Sequence, residues 1–167
     1  DPQRFIKSIW LDPQITKFVP HSHANKPLFD NEKWCPLVDK NNKQIIVGDC
    51  PNMVYFHRNE KFEASRFLYE DTINWGDSGK VTDCEAGAGG RSVLLSSMRI
   101  LFALGFRKVY LMGVDLDMSN EKTYHFDEQR TNGAVKGNLK TYDKMENYYF
   151  PKLIPYFKEE GFEVYNC

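Results

Sequence analysis

Gly89, Gly90, Arg91 and Ser92, in the stretch EAGAGGRS, are residue types suited to holding an anion. Glycine has no Cβ to keep a phosphate off the backbone. The unpaired amides of a starting helix together carry roughly half a positive charge, and an arginine fork matches phosphate oxygens. A plain turn that lets a helix begin is the alternative reading of the same residues. The stretch is not a Walker loop, because no Gly-Lys-Ser/Thr follows, and it is an incomplete GxGxxG: Gly87 and Gly89 fit, but Ser92 stands in the third glycine's place.

A second constellation lies in LMGVDLDMSNEKTYHFDEQR. Asp115 and Asp117 can hold a magnesium ion through oxygen ligands and waters, or accept hydrogen bonds from sugar hydroxyls. Acidic turn residues that merely cap the end of a strand are the structural alternative. His125, between Tyr124 and Phe126, is a candidate general base, with packing in an aromatic loop as its alternative. His21, His23 and His57 have no carboxylate or cysteine partners at metal-ligand spacing, and no structural zinc is expected. The cysteines, Cys35, Cys50, Cys84 and Cys167, form no CxxC pair and read as buried or idle thiols.

These residues need elements to position them. Ser92 predicts the N-cap of a helix running to about Leu104, with Val93, Leu94, Ser97, Ile100, Leu101 and Leu104 on one face and Gly105 as its left-handed stop. KVYLMGVD then reads as a strand buried on both faces of a parallel sheet, so that Asp115 and Asp117 fall at its carboxyl edge, where ligands of α/β proteins bind. Thr141 to Glu160 predicts a long helix carrying Met145, Tyr148, Tyr149 and Leu153 on a common side, bent or reset by Pro151 and Pro155; Gly161 ends it and FEVYNC re-enters the sheet. Helix, strand, helix, strand is the grammar of α/β crossovers. The first eighty residues are punctuated by proline, with short strands expected in ITKFVP, KQIIVGD and NMVYFHRN.

The 167 residues are thus expected to form a single α/β domain, irregular over residues 1–80 and regular over 81–167. A formal charge of −1 offers no basic field for nucleic acid. No run reaches the ~20 apolar residues of a membrane span, and the expected localisation is cytoplasmic. The opening without methionine and the stop at Cys167 suggest a fragment of a larger domain.

GGRSVLLSSMRILFALGFRKVYLMGVDLDMSNEKTYHFD, followed after a helix by GFEVYNC, resembles the core of the bacterial sialyltransferases that use CMP-sialic acid. It is also similar to a wider group that includes the flagellin-glycosylation motility accessory factors and the 6-hydroxymethylpterin diphosphokinase-like proteins. The resemblance covers roughly residues 89–167. It implies a Rossmann-like, mostly parallel sheet flanked by helices, with Gly89, Gly90, Arg91 and Ser92 against a nucleotide-linked donor and Tyr124 on its phosphate. Asp117 stands where a second such tyrosine would be. The sialyltransferases draw their general-base histidine from beyond the Tyr-x-Phe-Asp loop, and this chain has no histidine after His125.

The leading expectation is a sialyltransferase-like glycosyltransferase, with a nucleotide-sugar donor, a glycan or glycoprotein acceptor and no required cofactor. His125 and Asp115 are its catalytic candidates; Gly89, Gly90, Arg91, Ser92, Asp117 and Tyr124 are its nucleotide-binding ones. A diphosphokinase-like transfer with magnesium on Asp115 and Asp117 is the alternative, and a non-catalytic α/β domain the third reading.

Overall fold

A computed structural model describes residues 7–29, 35–77, 91–114, 116 and 139–167. The chain clusters into two compact units, Asp1–Arg58 and Asn59–Cys167. The compact division therefore falls at residue 58, whereas the change in sequence character comes near residue 80.

In the first unit α1 (Lys7–Leu11) precedes β1 (Lys17–Pro20), which pairs in parallel with β2 (Met53–Phe56) in the register Lys17↔Met53 to Pro20↔Phe56. Val19 faces a small core with Trp10, Leu28, Leu37, Val47 and Cys50. The expected strand in KQIIVGD is broken into single bridges, Val38↔Gln44 and Pro27↔Ile46, before a short 3-10 turn at Val47–Asp49. Burial places Lys17 among backbone carbonyls: its ammonium donates to the oxygens of Asp12 at 2.5 Å and Pro51 at 2.8 Å, which meets part of the large cost of burying a charge.

The second unit is built around two helices and a second parallel pair. After the two-residue strands β3 (Arg58–Asn59), which starts on the last residue of the first unit, and β4 (Ile73–Asn74), α2 spans Val93–Ala103. Ser92 caps it as expected, its hydroxyl accepting from the Leu94 amide at 3.1 Å. The helix ends in a Schellman motif: Gly105, at φ +91°, donates to the Phe102 carbonyl, and Phe106 donates to that of Leu101. The buried face differs from the expected one. Leu95, Met98 and Phe102 are in the core, while Val93 is 77% and Leu104 54% exposed. In a segment as apolar as VLLSSMRILFA several faces can be buried, and the partners decide which one is: Phe102 meets Tyr69 and Phe162 edge-on, each at 5.5 Å.

β5 (Lys108–Leu111) pairs in parallel with β6 (Glu163–Asn166), from Lys108↔Glu163 to Leu111↔Asn166. Between them runs α3, described over residues 139–159. Its buried stripe, Met145, Tyr149, Leu153 and Phe157, repeats every fourth residue and packs on α2 and Val109 in one core. The expected reset is there at Pro151 in a specific form, whereas Pro155 lies inside the continuous Phe150–Glu159 segment. Residues Met145–Tyr149 form a π turn, in which the Phe150 amide donates five residues back to Met145, and Phe150–Glu159 returns to α geometry. The reset puts Pro151 in the first turn of the new α segment, where its missing N–H leaves no bond unmade. A second Schellman motif at Gly161, φ +61°, closes the helix and sets the ring of Phe162 against Phe157 at 5.0 Å.

The strand expected to be buried on both faces is buried on one. Val109 faces α3, but Tyr110 is 61% exposed and stacks on Tyr165 at 5.1 Å and 16°. The described architecture is mixed α/β, with parallel strands in pairs; among the described residues each sheet has two strands. No helix among them is long and apolar enough to cross a membrane.

Candidate functional site

Of the residues expected to carry chemistry, the structure describes Arg91 and Ser92. Gly89, Gly90, Asp115, Asp117, Tyr124 and His125 lie outside the described residues. Arg91 and Ser92 come together at the start of α2, and both are engaged by the protein itself. The Arg91 guanidinium donates to Glu60 Oε1 at 3.1 Å and lies over the Trp75 ring, 5.0 Å from its centroid. The Ser92 amide donates to the Trp75 carbonyl at 2.7 Å, while the Ser92 hydroxyl takes the Leu94 amide. Two N–H groups at this helix start are thus already paired. The side chain of Arg91 remains partly exposed and has five N–H donors, so binding Glu60 leaves it the geometry to meet a further oxyanion.

Sequence reasoning missed Glu60 and Trp75, the residues that hold Arg91. The segment KFEASRFLYEDTINWGDSGK has neither helical nor strand period, and its turns bring Trp75 back beside α2 through hydrogen bonds no local pattern announces. One such tie is a polar chain. Asn59 donates to Glu70 and Thr72, each at 2.6 Å, and accepts from buried Asn74 at 2.5 Å.

A cleft of about 490 Å³ runs between α3 and β6, lined along the whole strand from Phe162 and Glu163 to Asn166 and reaching Leu111 at the end of β5. Leu111, Val114, Leu116, Phe150, Ile154 and Val164 give it apolar walls, and Glu146, Lys158 and Asn166 supply polar groups. Asn166 donates from Nδ2 to the Val114 carbonyl at 2.8 Å, which ties the chain leaving β5 to the end of β6. That exit is sharply turned: Gly113 has φ +71° and Leu116 φ +48°. A leucine in the left-handed region costs about 1 kcal/mol or more and is held there by its packing on the core. A mostly apolar recess with a few polar groups, open at one end to the carboxyl edge of parallel strands, has the character of a small-molecule site.

Of the three histidines without carboxylate or cysteine partners at metal-ligand spacing, His21 and His57 are brought together in the first unit, their ring centroids 5.0 Å apart. Among the described residues no three His, Cys, Asp or Glu side chains gather to hold a metal ion. The Cys50 thiol is buried, and burial pushes its pKa up, which keeps it in the unreactive thiol form. No family model matches the chain, and neither the curated proteins nor the solved structures contain a significant match.

Proposed function

We propose that this chain is a sialyltransferase-like glycosyltransferase, moving a sugar from a nucleotide-linked donor to a glycan or glycoprotein acceptor on a Rossmann-like sheet in which β5 and β6 are neighbours. The observation that supports this reading is the parallel β5–β6 pair, joined by a connection that includes α3, with a cleft between α3 and β6 that extends to the carboxyl end of the pair at Asn166 and Val114. Parallel neighbours require such crossovers, and the nucleotide sites of Rossmann-like sheets lie at that edge.

The reaction is displacement at the anomeric carbon. The acceptor oxygen forms a bond to that carbon, the bond to the donor phosphate breaks, and His125, assisted by Asp115, takes the acceptor's proton. Gly89, Gly90, Asp117 and Tyr124 contact the donor, and Ser92, whose amide is held by Trp75, has only its hydroxyl proton left to offer it. Arg91 neutralises charge on the departing nucleotide and exchanges part of its contact with Glu60 for the phosphate.

A thermal-shift panel tests the proposal: CMP, UDP, GDP, NADH, and ATP with magnesium. A pyrimidine nucleotide should raise the melting temperature without metal, since a ligand at a hundred times its Kd stabilises by about 2.7 kcal/mol. Arg91→Ala should reduce that increment. A response to ATP with magnesium alone would instead support diphosphokinase-like chemistry, and silence across the panel would overturn the nucleotide reading.

A further inference from the structure

Two adjoining stripes of α3 have opposite surroundings. Met145, Tyr149, Leu153 and Phe157 are buried in the core, and Glu146, Phe150, Ile154 and Lys158, each one residue further round the helix, line the cleft beside β6. Glu146, Ile154 and Lys158 are exposed, Ile154 by 58%, and Phe150 is half-buried. The second stripe thus reads acid, apolar, apolar, base at a spacing of four residues. Turned end for end, such a stripe is complementary to itself. An antiparallel copy sets Glu146 against Lys158 and Phe150 against Ile154, and the same contacts recur on the other side of the two-fold axis.

β6 has the matching property at its edge. The Glu163 amide donates to the Arg107 carbonyl and the Cys167 amide to that of Leu111, so residues 163, 165 and 167 direct their backbone groups to β5. Val164 and Asn166 direct theirs the other way, and among the described residues β6 pairs with β5 alone. Such a row of backbone donors and acceptors is a template for a further strand. An antiparallel copy pairs Val164 with Asn166 in both hydrogen-bonded positions and leaves Tyr165 opposite itself, with Cα atoms about 4.5 Å apart. Tyr165 is 43% exposed and already stacks on Tyr110, so the two copies extend that stack across the axis.

One axis serves both elements. The helix stripe is centred at the level of Lys152 and the strand edge on Tyr165, and the rings of Phe157 and Phe162, 5.0 Å apart, mark where the two elements are level. From there Lys152 lies about 7.5 Å along α3 and Tyr165 about 10 Å along β6 in the same direction, so the two centres agree to within about 3 Å. Strand addition also sets the two copies of α3, each over its own strand pair, two strand spacings or about 10 Å apart, which is an ordinary distance between packed helices.

We propose that the exposed stripe of α3 and the outer edge of β6 form a two-fold interface between copies of this chain. The occupant is a second copy because the charges at the two ends of the stripe are opposite and interchange under the two-fold rotation. This goes beyond the glycosyltransferase reading, and the two fail separately: oligomeric state tests the interface, nucleotide-dependent melting the donor site.

The test is analytical ultracentrifugation of the whole chain over a concentration series. The wild type should pass from monomer to dimer. Lys158→Glu sets Glu146 against a like charge, and Glu146→Lys does the same to Lys158; each change acts twice in the dimer and should weaken it about tenfold. An equimolar mixture of these two variants should associate more tightly than either alone, and the double exchange in one chain should restore the wild-type dimer. Ile154→Arg should weaken dimerisation by about tenfold or more, because it buries a charge in the apolar centre. Glu159→Lys, exposed on the same helix but outside the cleft lining, should change nothing. Circular dichroism should show each variant folded. A monomer at every concentration would overturn the proposal and leave this face to another occupant. A dimer indifferent to both single charge reversals, or a mixture no tighter than its components, would overturn it equally.

Discussion

The guanidinium of Arg91 lies over the indole of Trp75, 5.0 Å from the ring centroid, while its terminal nitrogen holds Glu60 at 3.1 Å. The residue expected to serve a ligand therefore also fastens the start of α2 to the loop before it. A partly exposed cation–π contact contributes about 0.5–1 kcal/mol and an exposed ion pair about 0.2–1 kcal/mol. Arg91→Ala should accordingly lower the unfolding free energy by about 1–2 kcal/mol in urea titrations. A double-mutant cycle with Glu60→Gln should return a coupling of no more than about 1 kcal/mol.

Gly105 and Gly161 close α2 and α3 at φ +91° and +61°. A Cβ at either position meets nothing within 4 Å, so replacement by alanine is opposed by backbone conformation alone. Gly105→Ala and Gly161→Ala should each cost about 1 kcal/mol, and Gly161→Asn less, because asparagine tolerates the left-handed region. Thermal melts of the three variants check the order.

Tyr149 is fully buried, and its hydroxyl accepts the Asp77 amide at 2.8 Å. Burial pushes that hydroxyl up to about 12, so it stays neutral through the physiological range. Tyr149→Phe should leave the Asp77 amide without its acceptor and cost about 1–3 kcal/mol. Leu153→Ala, one turn further along the same buried stripe, should cost about 2–5 kcal/mol through the cavity it opens. Chemical denaturation measures both.

Burial, Lys26 and Arg58 lower the pKa of His23 from 6.5 to about 4. Between those values the unfolded chain takes up a proton at this histidine that the folded chain refuses. Its contribution to stability is thus complete above pH 6.5 and is lost as the pH falls toward 4. Urea midpoints measured from pH 8 to pH 5 should decline in the wild type, and His23→Gln should flatten that decline. An identical pH profile in the two proteins would show that His23 has no such role.

The local devices of the second unit were readable from residue types. Ser92 caps α2 because a short side-chain oxygen can reach the first-turn amides, Gly105 and Gly161 stop helices because they lack a Cβ, and Met145, Tyr149 and Leu153 share a face because they recur every fourth residue. The strands in KFVP, MVYF, KVYL and EVYN were likewise visible as β-branched and aromatic runs. Of the candidate site, Ser92 was legible as a cap. The partners of Arg91 were not, because Glu60 and Trp75 are set by turns that carry no periodic signal.

What the amino-acid sequence determined was where helices begin and end and which short runs extend, since capping, chirality and side-chain period act over a few neighbouring residues. The tertiary structure alone decided which side of α2 is buried, that Tyr110 lies exposed against Tyr165, and that His21 meets His57 across two strands thirty-six residues apart in register. The physical reason is range. Burial and parallel pairing are satisfied by whatever surface arrives from elsewhere in the chain, and no local stretch records which surface that will be.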